Sequence, residues 1–225
     1  MPIHPQWLLG SPEKMACWVK ENCKGQVLDI GAADRWIEKH LDASVQYIAL
    51  DYPATGQNLY QAQPDLFGNA SCLPFQDGSV DTVILLEVLE HLEEPRRALE
   101  EIQRVLKPGG TLLLSLPFLY PLHDAPYDFQ RYTAFGLQRE LEESGFIIEE
   151  LDNTLSSSAS AGLIAALAIS GAMHKAFQKR QPSVILMPLL IAAIPLINLG
   201  AWVLEKVTPN WSNLSAGLRA KARTK

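Results

Sequence analysis

The stretch VLDIGAADRW, residues 27–36, reads as an apolar strand that ends in an acid, Asp29, and runs into a turn holding one glycine, Gly31. In an open parallel sheet, ligands bind beyond the carboxyl ends of the strands, and the first strand-to-helix turn is where backbone N–H groups approach them most closely. A dinucleotide-binding turn needs G-x-G-x-x-G so that a pyrophosphate can settle on the helix N-terminus. Here Gly31 stands alone, followed by Ala33 and Asp34, and a carboxylate at the strand tip repels a pyrophosphate. Asp29 suits instead a ligand that carries positive charge. The next strand, VQYIALD at 45–51, ends in a second acid, Asp51, placed to accept both hydroxyls of a ribose. Taken singly, either acid reads better as a turn residue or helix cap.

Outward from this turn, strand and helix patterns alternate as a parallel sheet with crossover helices requires. Strands are predicted at about 26–30, 46–51, 66–70, 80–86, 111–116 and 146–151. Helices are predicted at 12–22, 34–41, 94–107 and 134–144, with a weaker one near 57–63. Ser11 before Pro12 opens the first helix, Pro95 sits early in another, and Pro108-Gly109-Gly110 stops it. With 225 residues, 48% of them hydrophobic, the chain suits one globular domain with an appendage and excludes disorder. Cys17, Cys23 and Cys72 are spaced for neither a zinc site nor a disulfide framework, so a reducing compartment is expected and no metal site is read. A net charge of −6 argues against a nucleic-acid partner. The start, MPIHPQWLLG, lacks the basic residues and long apolar run of a signal peptide.

The segment NASCLPFQDGSVDTVILLEVLEHLEEPRRALEEIQRVLKPGGTLLLSLP, residues 69–117, resembles the core of class I S-adenosylmethionine-dependent methyltransferases of the methyltransferase type 11 kind. The likeness extends over roughly residues 25–151. It implies a doubly wound, Rossmann-like α/β sheet, mostly parallel, with a final antiparallel strand, and S-adenosylmethionine as cofactor. It further implies that Asp29, Gly31 and Ala33 hold the methionine end, that Asp51 takes the ribose, that Asn69 and Ala70 meet the adenine, and that Glu87 faces the cofactor. Ala33 and Arg35 stand where the family has glycines, which leaves the backbone less room, and Val80 replaces the usual phenylalanine.

Methyl transfer is an in-line displacement from a sulfonium, so the protein supplies alignment and, for a hydroxyl acceptor, a base. His91, in VLEHL, is one candidate, although packing is the simpler role for it. The loop FLYPLHDAPYDFQRYT, 118–133, is the other, with His123, Asp124, Tyr127, Asp128, Arg131 and Tyr132 close together; local pairs such as Asp128 with Arg131 compete with a functional reading. His123 is the first choice because imidazole titrates near working pH, and Asp128 is the third candidate. This loop resembles those of glycan- and surface-polysaccharide-associated methyltransferases, which implies O-methylation of a sugar hydroxyl.

Residues 1–152 carry 11 Lys and Arg against 24 Asp and Glu, whereas 153–225 carry 8 against 1. Residues 153–204 hold no acid, and SVILMPLLIAAIPLINLGAWVL, 183–204, is an uncharged run of 22 residues, long enough to span a bilayer but interrupted by Pro188 and Pro195. Alternation near 214–223 predicts the last strand, which ties both ends of the appendage to the core. The expected organisation is therefore a cofactor-binding core at 1–152, a hydrophobic helical insertion at 153–208, and a final strand with a basic tail at 209–225. The insertion is expected to lie in a membrane interface, against anionic head groups, or to cap the acceptor site, with a buried cap or dimer face ranked nearly as high and a membrane-spanning pair below. Expected is a cytoplasmic enzyme at the inner face of a membrane, acting on a small or lipid-linked acceptor. A quinone or membrane-lipid methyltransferase is the second reading, and a degenerate, non-catalytic membrane-bound domain the third.

Overall fold

The computed structural model describes residues 12–225; Ser11, expected to cap the first helix, lies outside them. The elements run α1 (Pro12–Asn22), β1 (Gln26–Ile30), β2 (Gln46–Asp51), α2 (Pro53–Thr55), β3 (Leu66–Phe67), β4 (Val80–Leu86), α3 (Pro95–Val105), β5 (Leu106–Pro117), α4 (Ala134–Glu143), β6 (Phe146–Asn153), α5 (Ser157–Gln178), α6 (Met187–Val207) and β7 (Gly217–Thr224). The chain divides into two units, one made of 12–118, 122–152 and 218–225, the other of 119–121 and 153–217.

In the first unit the sheet order is β3-β2-β1-β4-β5-β7-β6. Strands β1 to β5 pair in parallel, Asp29 lying opposite Ala49 and Ile84. Strand β7 runs against β6, since Arg219 pairs with Asp152 while Lys221 and Arg223 pair with Glu149. The expected mostly parallel sheet with a final antiparallel strand is what forms.

Side chains along a strand alternate between faces, and the core follows that period. Leu28, Ile30, Val83, Leu85, Leu112 and Leu114 bury against Leu99 and Ile102 of α3 and Leu137 and Leu141 of α4. Their neighbours Val27, Ile84 and Leu113 bury on the opposite face against Trp18 and Val19 of α1 and Ile37. Each such fully buried aliphatic side chain contributes about 1.5–3 kcal/mol, so the two-sided burial dominates the stability of this unit. Thr133 caps α4 by accepting from Gly136 N at 3.1 Å.

Several boundaries differ from expectation, the shortest change being β3, which ends at Phe67 rather than near 70. The helix expected at 34–41 is only a 3-10 turn, Glu38–His40, because residues 33 and 35 take left-handed backbone that a helix cannot continue. The weak helix near 57–63 forms earlier, as α2 followed by a wide turn at Gly56–Tyr60. Strand β5 begins at Leu106, not near 111: Gly109, at φ +71°, bends Lys107–Gly110 into the strand rather than out of the sheet.

In the second unit, Ser156 caps α5 by accepting from Ala159 N at 3.2 Å. Helices α5 and α6 pack through Ala159, Leu163 and Ala201 at one end and Ala166, Met173 and Ile194 at the other. The base is closed by Thr154 N donating to Gly217 O (3.0 Å), Ser157 N to Asn210 Oδ1 (2.9 Å) and Ala216 N to Ser160 Oγ (2.9 Å). Pro195 lies inside α6, which stays one helix.

Candidate functional site

The carboxyl ends of β1, β2 and β4 are neighbours, and the turn after β1 is built against both flanking strands. Gly31, at φ +75°, donates its N–H to Leu50 O at 2.8 Å, and a Cβ there would come within 2.3 Å of Val88 Cγ2. Ala33 and Arg35 hold φ of 45° and 59°, the left-handed conformation that glycine adopts without strain. The turn therefore keeps a glycine-like path with side chains on it. Arg35 is held there by a two-pronged pair with Glu38 (2.9 and 3.0 Å), by Asp65 at 3.0 Å, and by lying over the Tyr47 ring at 5.4 Å.

Asp29 is buried and accepts from Tyr47 OH at 2.5 Å. Burial, aided by the nearby charge of Asp51, pushes its carboxyl up to about 7 against the opposing Tyr47 bond. Asp51, also buried, accepts from Ala33 N at 2.9 Å and Tyr52 N at 2.7 Å. Burial raises it despite these two bonds. Asp51 thus shapes the turn through Ala33, a role its sequence position does not show. Beyond β3, the exposed Asn69 accepts at Oδ1 from Ser71 N at 2.9 Å in a tight turn that buries Ala70. Glu87, at φ 54°, accepts from Ser115 Oγ at 2.6 Å, and the protein around its solvent-reaching side chain raises its carboxyl.

The loop after β5 crosses the short turn Leu89–His91 that follows β4. Gln130 Nε2 donates to Leu89 O (2.8 Å) and Leu92 O (2.7 Å), and Phe129 N donates to Glu90 O (3.0 Å). These bonds bring His91 and His123 together, with ring centroids 4.9 Å apart, edge to face. His91 Nδ1 lies 2.9 Å from Tyr127 O, and His123 Nδ1 lies 3.2 Å from Asp128 Oδ2. Asp128 also accepts from the guanidinium of Arg131, which holds its carboxyl down to about 2. The Asp128–Arg131 pair and the His123 contact are therefore one arrangement, not rivals. All three acceptor-side candidates, His91, His123 and Asp128, meet in one place.

Sequence reasoning missed Glu90, which is wholly buried beside both histidines, and Gln130, which pins the loop. An acid between Leu89 and His91 was the available signal for the first; nothing local marks the second. A separate hollow of about 290 Å³, lined by Lys24, Gly109, Thr111, Glu149 and Arg223 among others, lies at the opposite ends of the strands, away from this chemistry.

The family described as methyltransferase domain matches residues 28–114. A protein named as a probable S-adenosylmethionine-dependent methyltransferase, from Mycolicibacterium smegmatis, is 33% identical over 140 residues, 57% of this chain and 54% of its own length. A demethylmenaquinone methyltransferase from Renibacterium salmoninarum is 36% identical over 95 residues, 40% of each chain. The chain thus spans about half the length, or less, of these curated relatives. Among solved structures, an S-adenosylmethionine-dependent methyltransferase from Mesorhizobium loti superposes with a TM-score of 0.54, covering 98% of both chains at 15% identity. The [4+2]-cyclase SpnF gives 0.58, covering 94% of this chain and 80% of its own at 20% identity, so the shared fold by itself does not specify a reaction. Residues 28–114 are thus similar to the methyltransferase domain family, and the mostly parallel sheet of the first unit has the fold of these solved structures.

Proposed function

We propose that the chain transfers a methyl group from S-adenosylmethionine to a small or lipid-linked acceptor, foremost a sugar hydroxyl. The observation that carries this reading is the convergence of His91, His123 and Asp128 at the carboxyl ends of β4 and β5, next to the acid-lined turn of β1 and β2.

The residues present fit the cofactor. Asp29 and Asp51 are buried acids whose carboxylates form no salt bridge among the described residues, and a ligand carrying an amino group and a sulfonium offsets that buried charge. Gly31 leaves the turn without a side chain where Val88 already fills the space, and Ala33 and Arg35 preserve its left-handed path, which speaks against a degenerate site. Asp29, Gly31 and Ala33 would hold the methionine end, Asp51 the ribose, Asn69 and Ala70 the base, with Glu87 facing them.

When bound, S-adenosylmethionine supplies an electrophilic methyl on a sulfonium that is already a good leaving group. The protein's share is alignment and removal of the acceptor's proton. Asp128 remains anionic across the working range and accepts at Nδ1 of His123, which leaves Nε2 as the atom to take that proton. Calorimetry with S-adenosylmethionine tests the reading: wild-type protein binds, and Asp51→Ala binds at least tenfold more weakly. Absence of binding by the folded wild type refutes it.

A quinone acceptor is the second reading, favoured by the relatives named demethylmenaquinone methyltransferase and by the apolar insertion. The segments Ser157–Gln178 and Pro182–Val207 are long and apolar enough to cross a membrane, and only 17% of the second is buried. Ile185 is 83% exposed and Leu189 70%, while Lys175, Lys179 and Arg180 are exposed near the turn between the helices. This pattern supports contact with an anionic membrane surface at the cytoplasmic side, as an interfacial helical pair. Labelled methyl groups that partition into organic solvent with the isoprenoid quinones of a cell extract would favour the quinone over the sugar.

A further inference from the structure

Glu90 has no exposed surface, and neither of its carboxylate oxygens has a hydrogen-bond partner. A carboxyl buried in this way keeps a proton unless a cation offsets its charge. Two imidazoles stand beside it. His91 Nε2 lies 3.6 Å and His123 Nε2 lies 3.9 Å from the same oxygen, Oε1. One ligand-capable atom from each of the three residues falls within 4.8 Å of the others.

The partners of the other ring nitrogens determine which protons sit where. Tyr127 O can only accept, so His91 carries its hydrogen on Nδ1. Asp128, ionised beside Arg131, likewise requires the hydrogen on Nδ1 of His123. In that tautomer both Nε2 atoms can offer lone pairs, and with Glu90 Oε1 they form a set of donor atoms that one cation could share. Imidazoles whose far nitrogens donate to a carbonyl and a carboxylate are the usual outer support of metal-ligating histidines. On the remaining side Asp124 Oδ2 stands 3.9 Å from His91 Nε2 and accepts from Tyr60 OH.

We propose that Glu90, His91 and His123 bind a divalent transition-metal ion through Glu90 Oε1 and the two Nε2 atoms. Two imidazoles and one carboxylate form a donor set suited to zinc and iron(II). Bonds of about 2.1 Å in tetrahedral array place ligand atoms about 3.4 Å apart; the two distances to Glu90 Oε1, 3.6 and 3.9 Å, are near this value, and the whole set, within 4.8 Å, has to draw in around the ion. In the loaded protein His123 is a ligand rather than the proton acceptor, and the ion's charge acidifies an acceptor oxygen. This deepens the acceptor side of the methyl-transfer reading, yet metal binding is measured without cofactor or acceptor, so either idea can fail alone.

The experiment uses the untagged full chain stripped with chelator and titrated with Co2+, read by visible absorption, with Zn2+ competing. One equivalent is expected to bind, displaced by one of zinc. The isosteric Glu90→Gln and the variant His123→Asn should each weaken binding at least tenfold at unchanged far-ultraviolet dichroism, and Asp128→Asn by about 10–100-fold. Should these variants fail to fold, X-ray absorption on the zinc-loaded wild type decides: a first shell of nitrogen and oxygen supports the site, and sulfur assigns the metal to the cysteines and overturns it. A folded wild type that binds no stoichiometric metal, or variants that bind as well as wild type, also overturns it.

Discussion

Replacing Asp29 by Asn isolates the cost of holding an acid at the tip of β1. Burial moves the carboxyl from 3.8 to about 7, with Tyr47 OH donating to it at 2.5 Å. A folded-state pKa above the unfolded one means that the native protein keeps a proton the unfolded chain has already released. Stability therefore falls as pH rises from about 4 to about 7 and stays at its lower level above that, the reverse of a salt-bridged acid. About three pK units at 1.36 kcal/mol each give a full penalty of about 4 kcal/mol above pH 7, of which about 1.5 kcal/mol is already felt at pH 5. Asn keeps an acceptor for Tyr47 and does not titrate. The stability gained by Asp29→Asn should thus grow by about 2–3 kcal/mol between pH 5 and pH 8. Urea unfolding of both proteins at unit pH intervals reads this directly, since titrations elsewhere cancel in the difference. A difference that stays flat across the range would refute the buried, protonating acid. The same variant should bind S-adenosylmethionine more weakly, so that the substitution strengthens the fold and damages the site.

Other outcomes follow from single contacts. Ala33→Gly relieves a left-handed alanine and should raise stability by up to about 1 kcal/mol in thermal or urea unfolding, whereas a loss would mean that its methyl group packs. Gln130→Ala removes two bonds to Leu89 O and Leu92 O, at about 1 kcal/mol each, and should speed amide exchange across 122–130 while leaving α3 protected; unchanged exchange would show that the loop is held elsewhere. His123→Ala should lower methyl transfer by about 10²–10⁴-fold with cofactor affinity nearly intact, and near-normal turnover would remove His123 from the chemistry. Changing Lys175, Lys179 and Arg180 to Gln should weaken pelleting with anionic vesicles by about 1 kcal/mol per charge, and protein that ignores such vesicles would leave a buried cap.

What the sequence makes legible, and what it hides, divides along physical lines. Val27 and Leu28, Val83 and Ile84, and Leu112 and Leu113 face opposite sides of the sheet, so their strands are apolar throughout and stand out from the charged helices between them. Asp29 and Asp51 are legible for a related reason: an acid that ends an apolar run has little to do there except serve a ligand or cap a turn. The expected helix at 34–41 failed because propensity assigns a conformation to Arg35 without knowing that Glu38, Asp65 and the Tyr47 ring would together hold it left-handed. Those partners come from another turn and another strand, and only folding brings them within reach. Glu90 shows the same limit more sharply. In VLEHL it reads as an ordinary surface acid ahead of a helix, yet in the fold it is buried, with the loop 122–130 bonded to the backbone around it through Gln130 and Phe129. The acceptor side is thus built from contacts some 30 to 40 residues apart in the chain, such as His91 with Tyr127 and Gln130 with Leu89, that no local pattern encodes. An acid enclosed in this way either keeps a proton or needs a cation beside it, and the space between Oε1 and the two imidazoles facing it is where such an ion would sit.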